Sequence, residues 1–166
     1  RNDILFTIDG AQSAPHLPVN LKDIGCDYFC FSGHKMMGPM GVGGLWVKDG
    51  SPMPNPAYAG GGMVGKVSGH SFTTAGGAAQ FEAGTPDVIG AVGLAEAARY
   101  LTRLGMGDVA AHSCALAHRM IDGLSEIDGV SVTTPADDEL VGAVSFTVDG
   151  VHPHEVAYFL DEAAAI

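Results

Sequence analysis

An α/β fold with a mostly parallel or mixed sheet is the class this sequence predicts, and three observations predict it. Short apolar runs at Ile4–Ile8, Tyr28–Phe31 and Gly43–Lys48 lack clean polar alternation, as expected of strands buried on both faces. More than a hairpin's length of chain separates the first two runs, which argues against a simple meander. Longer stretches with apolar residues three or four apart follow, and that spacing belongs to helices.

Taken in order, Ile4–Ile8 is a short buried strand stopped by the Asp9-Gly10 turn signal. Leu21–Ile24 fits one helical turn, and Tyr28–Phe31 and Gly43–Lys48 are the next two strands. From Asp49 to Pro86 no periodicity persists. Pro52, Pro54, Pro56 and Gly60-Gly61-Gly62 mark a long loop, and a loop of that length in a compact protein is usually functional or lies on another subunit. Val88, Val92, Ala95, Ala98 and Leu101 predict a helix from Asp87 to Leu104, in which Gly90 and Gly93 lower propensity but permit close packing. Gly105-Met106-Gly107 breaks it. A second helix spans about Asp108 to Ile127 with Asp108 as N-cap. Val130–Thr134 and Ala143–Val148 are strands, Asp149-Gly150 is a turn, and His154–Ala165 is a helix with Pro153 near its first turn. The pattern shifts near Gly105, dividing a larger α/β unit (1–105) from the start of a smaller α+β unit (106–166).

The 166 residues can bury a sizeable core, and 46% hydrophobic with 16% charged residues marks a globular chain. With eight Lys and Arg against a net charge of −11, no basic patch of useful size can form, so no nucleic-acid partner is expected. Three cysteines at uneven spacing make no disulfide framework, and a reducing cytoplasm is the default. No run of 18 apolar residues suggests a membrane span. The chain starts without Met, directly ahead of an apolar strand, and closes just after a helix. Both ends look cut, and a central fragment of a longer protein is expected.

The chemistry is concentrated at Ser32-Gly33-His34-Lys35, where a lysine stands just beyond the apolar run Tyr28–Phe31 and a glycine-rich stretch begins at Gly38. An amine in apolar surroundings loses part of the stabilisation of its charge and becomes a better nucleophile toward carbonyls. Asp9 ends the preceding apolar run. Pyridoxal phosphate (PLP) needs such a pair: a lysine for its Schiff base and a carboxylate to keep its pyridine nitrogen protonated.

Each residue has a plainer reading. Asp9-Gly10 could simply end a strand, His34 could be structural, and Thr85-Pro86 could only lead into the helix at Asp87. Other motifs fail on their own terms. Gly41-Val42-Gly43-Gly44 precedes a strand where a dinucleotide loop would open a helix, and no P-loop is present. Cys30 sits inside an apolar strand. His152 and His154 lack thiolate neighbours, and His112 and His118, six apart, do not share one helical face, so no metal site is expected.

The ordered set D-G-A-Q (Asp9–Gln12), S-G-H-K (Ser32–Lys35), G-P-x-G-x-G (Gly38–Gly43) and F-E-A-G-T-P (Phe81–Pro86) resembles the class V aminotransferase family of fold-type I PLP enzymes, especially its cysteine desulfurase and selenocysteine lyase branch. The resemblance implies the C-terminal half of the PLP-binding large domain followed by the beginning of the small one. It implies Lys35 as the Schiff-base and proton-shuttling group. Asp9 would pair with the pyridinium nitrogen, Gln12 would donate to the ring's phenolic oxygen, and Ser32 and His34 would contact the phosphate. Thr85 would reach the phosphate of the partner subunit's cofactor in a homodimer. It further implies L-cysteine or a related amino acid as substrate, L-alanine as product, and a sulfur-acceptor protein in iron–sulfur cluster assembly. Selenocysteine lyase, kynureninase, aminotransferase activity or a non-catalytic role are the alternatives. The family's persulfide-forming cysteine and substrate-carboxylate arginine would come after the helix at His154–Ala165, so this chain alone is not expected to turn over substrate. Met40 stands where the family usually has Thr, and Gln80 and Asp87 where it has Arg and Asn.

Overall fold

The computed structural model describes residues 4–135 and 140–164. The sheet begins with β1 (Thr7–Asp9), which is shorter than the apolar run predicts. Ile4–Phe6 lie outside the ladder: the Phe6 N–H donates to Asp27 Oδ2 at 2.8 Å, and its carbonyl accepts from the N–H groups of Asp27 and Tyr28. After the one-turn α1 (Leu21–Ile24), capped by Asn20 and ended by Gly25 at φ 68°, the chain enters β2 (Tyr28–Ser32). β1 and β2 run parallel, with Thr7 opposite Tyr28 and Asp9 opposite Cys30. β3 (Gly43–Val47) returns antiparallel, placing Gly43 opposite Ser32. The sheet order is β1-β2-β3, a mixed sheet with β2 at its centre.

The long loop expected from Asp49 to Pro86 needs correction. It contains a hairpin, β4 (Val64–Ser68) and β5 (Ser71–Thr74), and a 3₁₀ turn at Gly77–Phe81. Gly69 takes the positive-φ position of the hairpin turn at 54°. The pairing is irregular between Val64 and Lys66, which disturbs the alternation that would have revealed it. Met63, fully buried, leads into the hairpin.

The two long helices are α2 (Val88–Leu104) and α3 (Met106–Ser125). Asp87 starts α2, its Oδ1 accepting the Gly90 N–H at 2.8 Å in the manner of an N-cap. Asp108 is not the N-cap of α3 that the sequence predicts. The cap position falls on Gly105, whose φ of 87° suits a glycine, and Asp108 lies in the first helical turn. β6 (Val130–Val132) and β7 (Phe146–Val148) pair antiparallel, again shorter than their apolar runs. α4 (Pro153–Ala164) begins with Pro153, and Ala165 lies outside the described residues. His152 Nδ1 accepts the His154 N–H, while Glu155 Oε2 accepts the His152 N–H, a reciprocal arrangement that satisfies two orphan donors at the helix start.

The chain divides into two compact units, residues 1–11 with 20–100 and residues 12–19 with 101–166. In the first, Tyr28 and Phe29 of β2 are buried together with Cys26, Met63 and Ala97. The core of the second comprises Ala117 and Ile121 of α3 with Leu140, against which Cys114, Val132 and Val144 pack.

Gly93 shows why α2 carries glycines. A Cβ there would lie 2.4 Å from Cγ of Pro39, so the helix approaches the Gly38-Pro39 loop at a distance only glycine allows. Gly123 of α3, by contrast, has open space at its Cβ position. Gly93→Ala is therefore expected to destabilise by about 1 kcal/mol, overpacking outweighing the gain in helix propensity, whereas Gly123→Ala should stabilise by about as much. Urea denaturation of both variants checks this, and equal shifts in the same direction would remove the close-packing role of Gly93.

Candidate functional site

Two parallel strands deliver their C-terminal ends to one edge of the sheet. Asp9 is the last residue of β1 and Ser32 the last of β2, and Asp9 sits level with Cys30, two residues short of Ser32. Gly43, the first residue of β3, is at the same edge, as Ser32's ladder partner. In open α/β sheets the space outside the carboxyl ends of the strands is where ligands bind.

Asp9 is exposed, and its Oδ1 accepts the Ala11 N–H at 2.9 Å, which orients the carboxylate in an Asx-type turn. Gly10 follows, buried, donating its N–H to the Cys30 carbonyl at 2.8 Å. A Cβ on Gly10 would lie 1.9 Å from Cζ of Phe29, so this aromatic ring rests directly on the glycine backbone. The Asp9 turn is thereby tied to β2 by one hydrogen bond and one close contact.

Ser32 leads into a 3₁₀ turn, Gly33–Met36, without spending its hydroxyl on a cap bond. His34 and Lys35 are both exposed within that turn. The apolar surroundings anticipated for Lys35 are therefore not supplied by the chain itself. Lys35 lies three residues beyond the end of β2, in the turn and outside the buried strand. What holds the turn is backbone. The Gly33 N–H donates to the Val42 carbonyl at 2.8 Å, and the Gly33 carbonyl accepts the N–H groups of Met37 and Gly38. Gly33 is buried, and a Cβ there would meet Val42 at 2.7 Å and Leu94 of α2 at 3.3 Å.

The structure thus brings Asp9, Ser32, His34 and Lys35 to the strand ends of the first unit. Thr85, exposed, stands on the segment between the 3₁₀ turn at Gly77–Phe81 and α2. Gln12, also exposed, belongs to the second unit. An open cavity of about 510 Å³, lined by Gly43, Leu45, Lys48, Phe81 and Glu82 among others, borders β3. Reasoning from sequence passed over Gly10 and Met37. A D-G dipeptide is read as a strand terminator, and nothing local announces a methionine in the left-handed region.

Among the described residues no three His, Cys, Asp or Glu side chains are grouped to hold a metal ion. Cys26 is buried, and the Cys30 thiol faces the Ile8 carbonyl at 3.5 Å. No described helix is long and apolar enough to cross a membrane.

A mixed α/β sheet with a lysine turn at its strand ends defines a class of architecture, and comparison with known proteins defines the family. The model of the aminotransferase class-V family matches residues 1–166, and the chain belongs to that family. It is 47% identical over 161 residues to the probable cysteine desulfurase 2 of Mycobacterium leprae, a match covering 95% of this chain and 38% of the relative. The apo structure of cysteine desulfurase from Thermococcus onnurineus superposes with a TM-score of 0.85 at 37% identity, covering 98% of this chain and 41% of that one. A mutant of C-DES, solved with glycine covalently linked to the PLP cofactor, superposes with a TM-score of 0.77 at 31% identity, over 94% of this chain and 42% of that chain. The fold is accordingly the fold-type I α/β architecture of these enzymes, and the chain spans about two fifths of their length.

Proposed function

We propose that this chain carries the cofactor lysine of a PLP-dependent cysteine desulfurase. The observation that carries the reading is the placement of Asp9, Ser32 and Lys35 at one sheet edge, in a chain nearly half identical to a probable cysteine desulfurase. The donor set fits the cofactor. A carboxylate suits a protonated pyridine nitrogen, an uncommitted hydroxyl and an imidazole suit a phosphate, and an exposed amine suits an aldehyde. PLP, when bound, acts as an electron sink for the substrate carbon.

Within that reading each side chain has one task. Lys35 would hold the cofactor through its amine and would carry a proton to and from the substrate carbon. Asp9 accepts the ring nitrogen's N–H and keeps it protonated. Ser32 and His34 hold the phosphate, Gln12 donates to the phenolic oxygen, and Thr85 serves the partner subunit's phosphate in a homodimer. Residues 1–105 form the C-terminal half of the large domain and 106–166 the start of the small one. The whole protein converts L-cysteine to L-alanine in the cytoplasm and passes the sulfur to an acceptor for iron–sulfur cluster assembly.

The test is the visible absorbance spectrum of the purified chain with added PLP, beside Lys35→Ala. A yellow absorption band that requires Lys35 is the expected result. Equal spectra from the two proteins would remove Lys35 from its role.

A further inference from the structure

Lys35 is the third residue of a short chain segment closed on itself at a single atom, the Gly33 carbonyl oxygen. That oxygen accepts the Met37 N–H and the Gly38 N–H, the latter at 2.9 Å. Two successive N–H groups can converge on one carbonyl four and five residues back because the residue between them, Met37, is left-handed, with φ 62° and ψ 15°. This is the position at which a helix end normally carries glycine.

Among the described residues eleven glycines have positive φ, and Met37 is the one residue of another type that does. The left-handed region disfavours any residue with a Cβ, and sites where it is nevertheless adopted cluster where structure holds a functional group. Packing does not account for the methionine, because Met37 is 68% exposed. Its neighbours explain what holds the backbone there. Gly33 is pinned by its N–H to the Val42 carbonyl at 2.8 Å, and a Cβ on Gly38 would lie 2.9 Å from the Gly33 oxygen, so the ring of backbone around Lys35 is closed too tightly for any side chain at 38.

We infer that Met37 is a positioning residue for Lys35: its left-handed backbone closes the 33–38 turn on the Gly33 carbonyl and thereby sets the place of the amine. The property that matters is the handedness of the backbone at 37, and the thioether contributes nothing to it. The inference rests on the cofactor reading of Lys35 for its functional consequence, while closure of the turn does not depend on that reading.

Two readouts on the full chain test it. Hydrogen exchange at the 37 and 38 amides, measured without PLP, reports turn closure. Covalent capture of PLP reports the amine: condensation of Nζ with the cofactor's aldehyde forms the C–N double bond and releases water, and borohydride supplies the hydride that reduces it for mass analysis at Lys35. Met37→Val, β-branched and poorly tolerated at positive φ, should speed exchange at both amides and slow capture, each by about tenfold. Met37→Ala should match the parent in both. Met37→Gly and Met37→Asn, which tolerate the left-handed region, should exchange as slowly as the parent or up to about fivefold more slowly, and capture at least as fast.

A Val variant that keeps the parent's exchange at 37 and 38 overturns the inference. So does an Ala variant as impaired as Val, which would assign the effect to the thioether. Exchange that ranks as expected while capture stays level across the series, with the parent capturing PLP, also overturns it, because closure would then not set the amine. If Val does not fold, the Gly and Asn variants against Ala decide the ranking. Failure of the parent itself to capture PLP at Lys35 would sink the cofactor reading instead, and hydrogen exchange alone would then decide whether residue 37 closes the turn.

Discussion

Gly10→Ala is expected to destabilise the chain by about 3 kcal/mol although it adds a single methyl group. The added Cβ would stand 1.9 Å from Cζ of Phe29 and 2.5 Å from both Cε atoms, so the ring has to move. Phe29 is 4% exposed and lies on β2, the central strand, where displacement propagates to both neighbours. Overpacking of that kind costs roughly 1–3 kcal/mol. Any backbone shift that relieves the clash strains the Gly10 N–H bond to the Cys30 carbonyl and adds up to about 1 kcal/mol. For a chain of this length the sum corresponds to a melting point lower by about 6–12 °C. Gly10→Ala combined with Phe29→Leu should recover part of the loss, since a smaller side chain at 29 vacates the space. A single variant as stable as the parent, or a double variant no better than the sum of the two singles, would show that the contact does not hold the Asp9 turn to β2. Thermal melts of the three variants give the answer.

Asp9→Asn is expected to weaken PLP binding by about 10- to 100-fold while leaving the stability of the cofactor-free chain within about 0.5 kcal/mol of the parent. The amide keeps an oxygen to accept the Ala11 N–H, at 2.9 Å in the parent, so the local turn survives. The negative charge is what is lost. A hydrogen bond to a charged partner contributes about 1.5–3 kcal/mol, which sets the expected change in affinity. Asp9 is exposed, so its neutralisation should scarcely disturb folding. Titration of PLP against the chain, followed by absorbance, measures the first effect, and urea denaturation the second. Undiminished affinity would separate Asp9 from the ring nitrogen. A large loss of stability would mean that the carboxylate is a structural element of the turn.

Much of the architecture was legible because it rests on local pattern. The apolar runs around Ile8, Phe29 and Trp46 became the three strands of the mixed sheet, and the 3–4 spacing from Val88 to Leu101 became α2. Gly93 was expected to permit close packing and does so against Pro39. The β4–β5 hairpin was not legible. Its strands are short, irregularly paired at Gly65 and set among prolines and glycines that speak for a loop. Asp108 was mistaken for a cap because Asp at a helix start is usually one, and Gly105 holds the position on backbone conformation alone.

By itself the sequence determined which residue types are present and in what order: a carboxylate after one apolar run, S-G-H-K after the next, and glycines wherever the backbone must turn. Those are properties of neighbours along the chain, and local propensity and side-chain chemistry suffice to read them. Only the tertiary structure decided the register of β1 against β2, with Asp9 level with Cys30, which brings Asp9 and Ser32 to the same edge across more than twenty intervening residues. It also decided that Lys35 stands exposed in its turn, that Phe29 rests on Gly10, and that Met37 is left-handed. The reason is physical. Strand register, close approach and backbone handedness are settled by contacts between segments distant in sequence, and those contacts can impose a conformation that no residue's own preference announces.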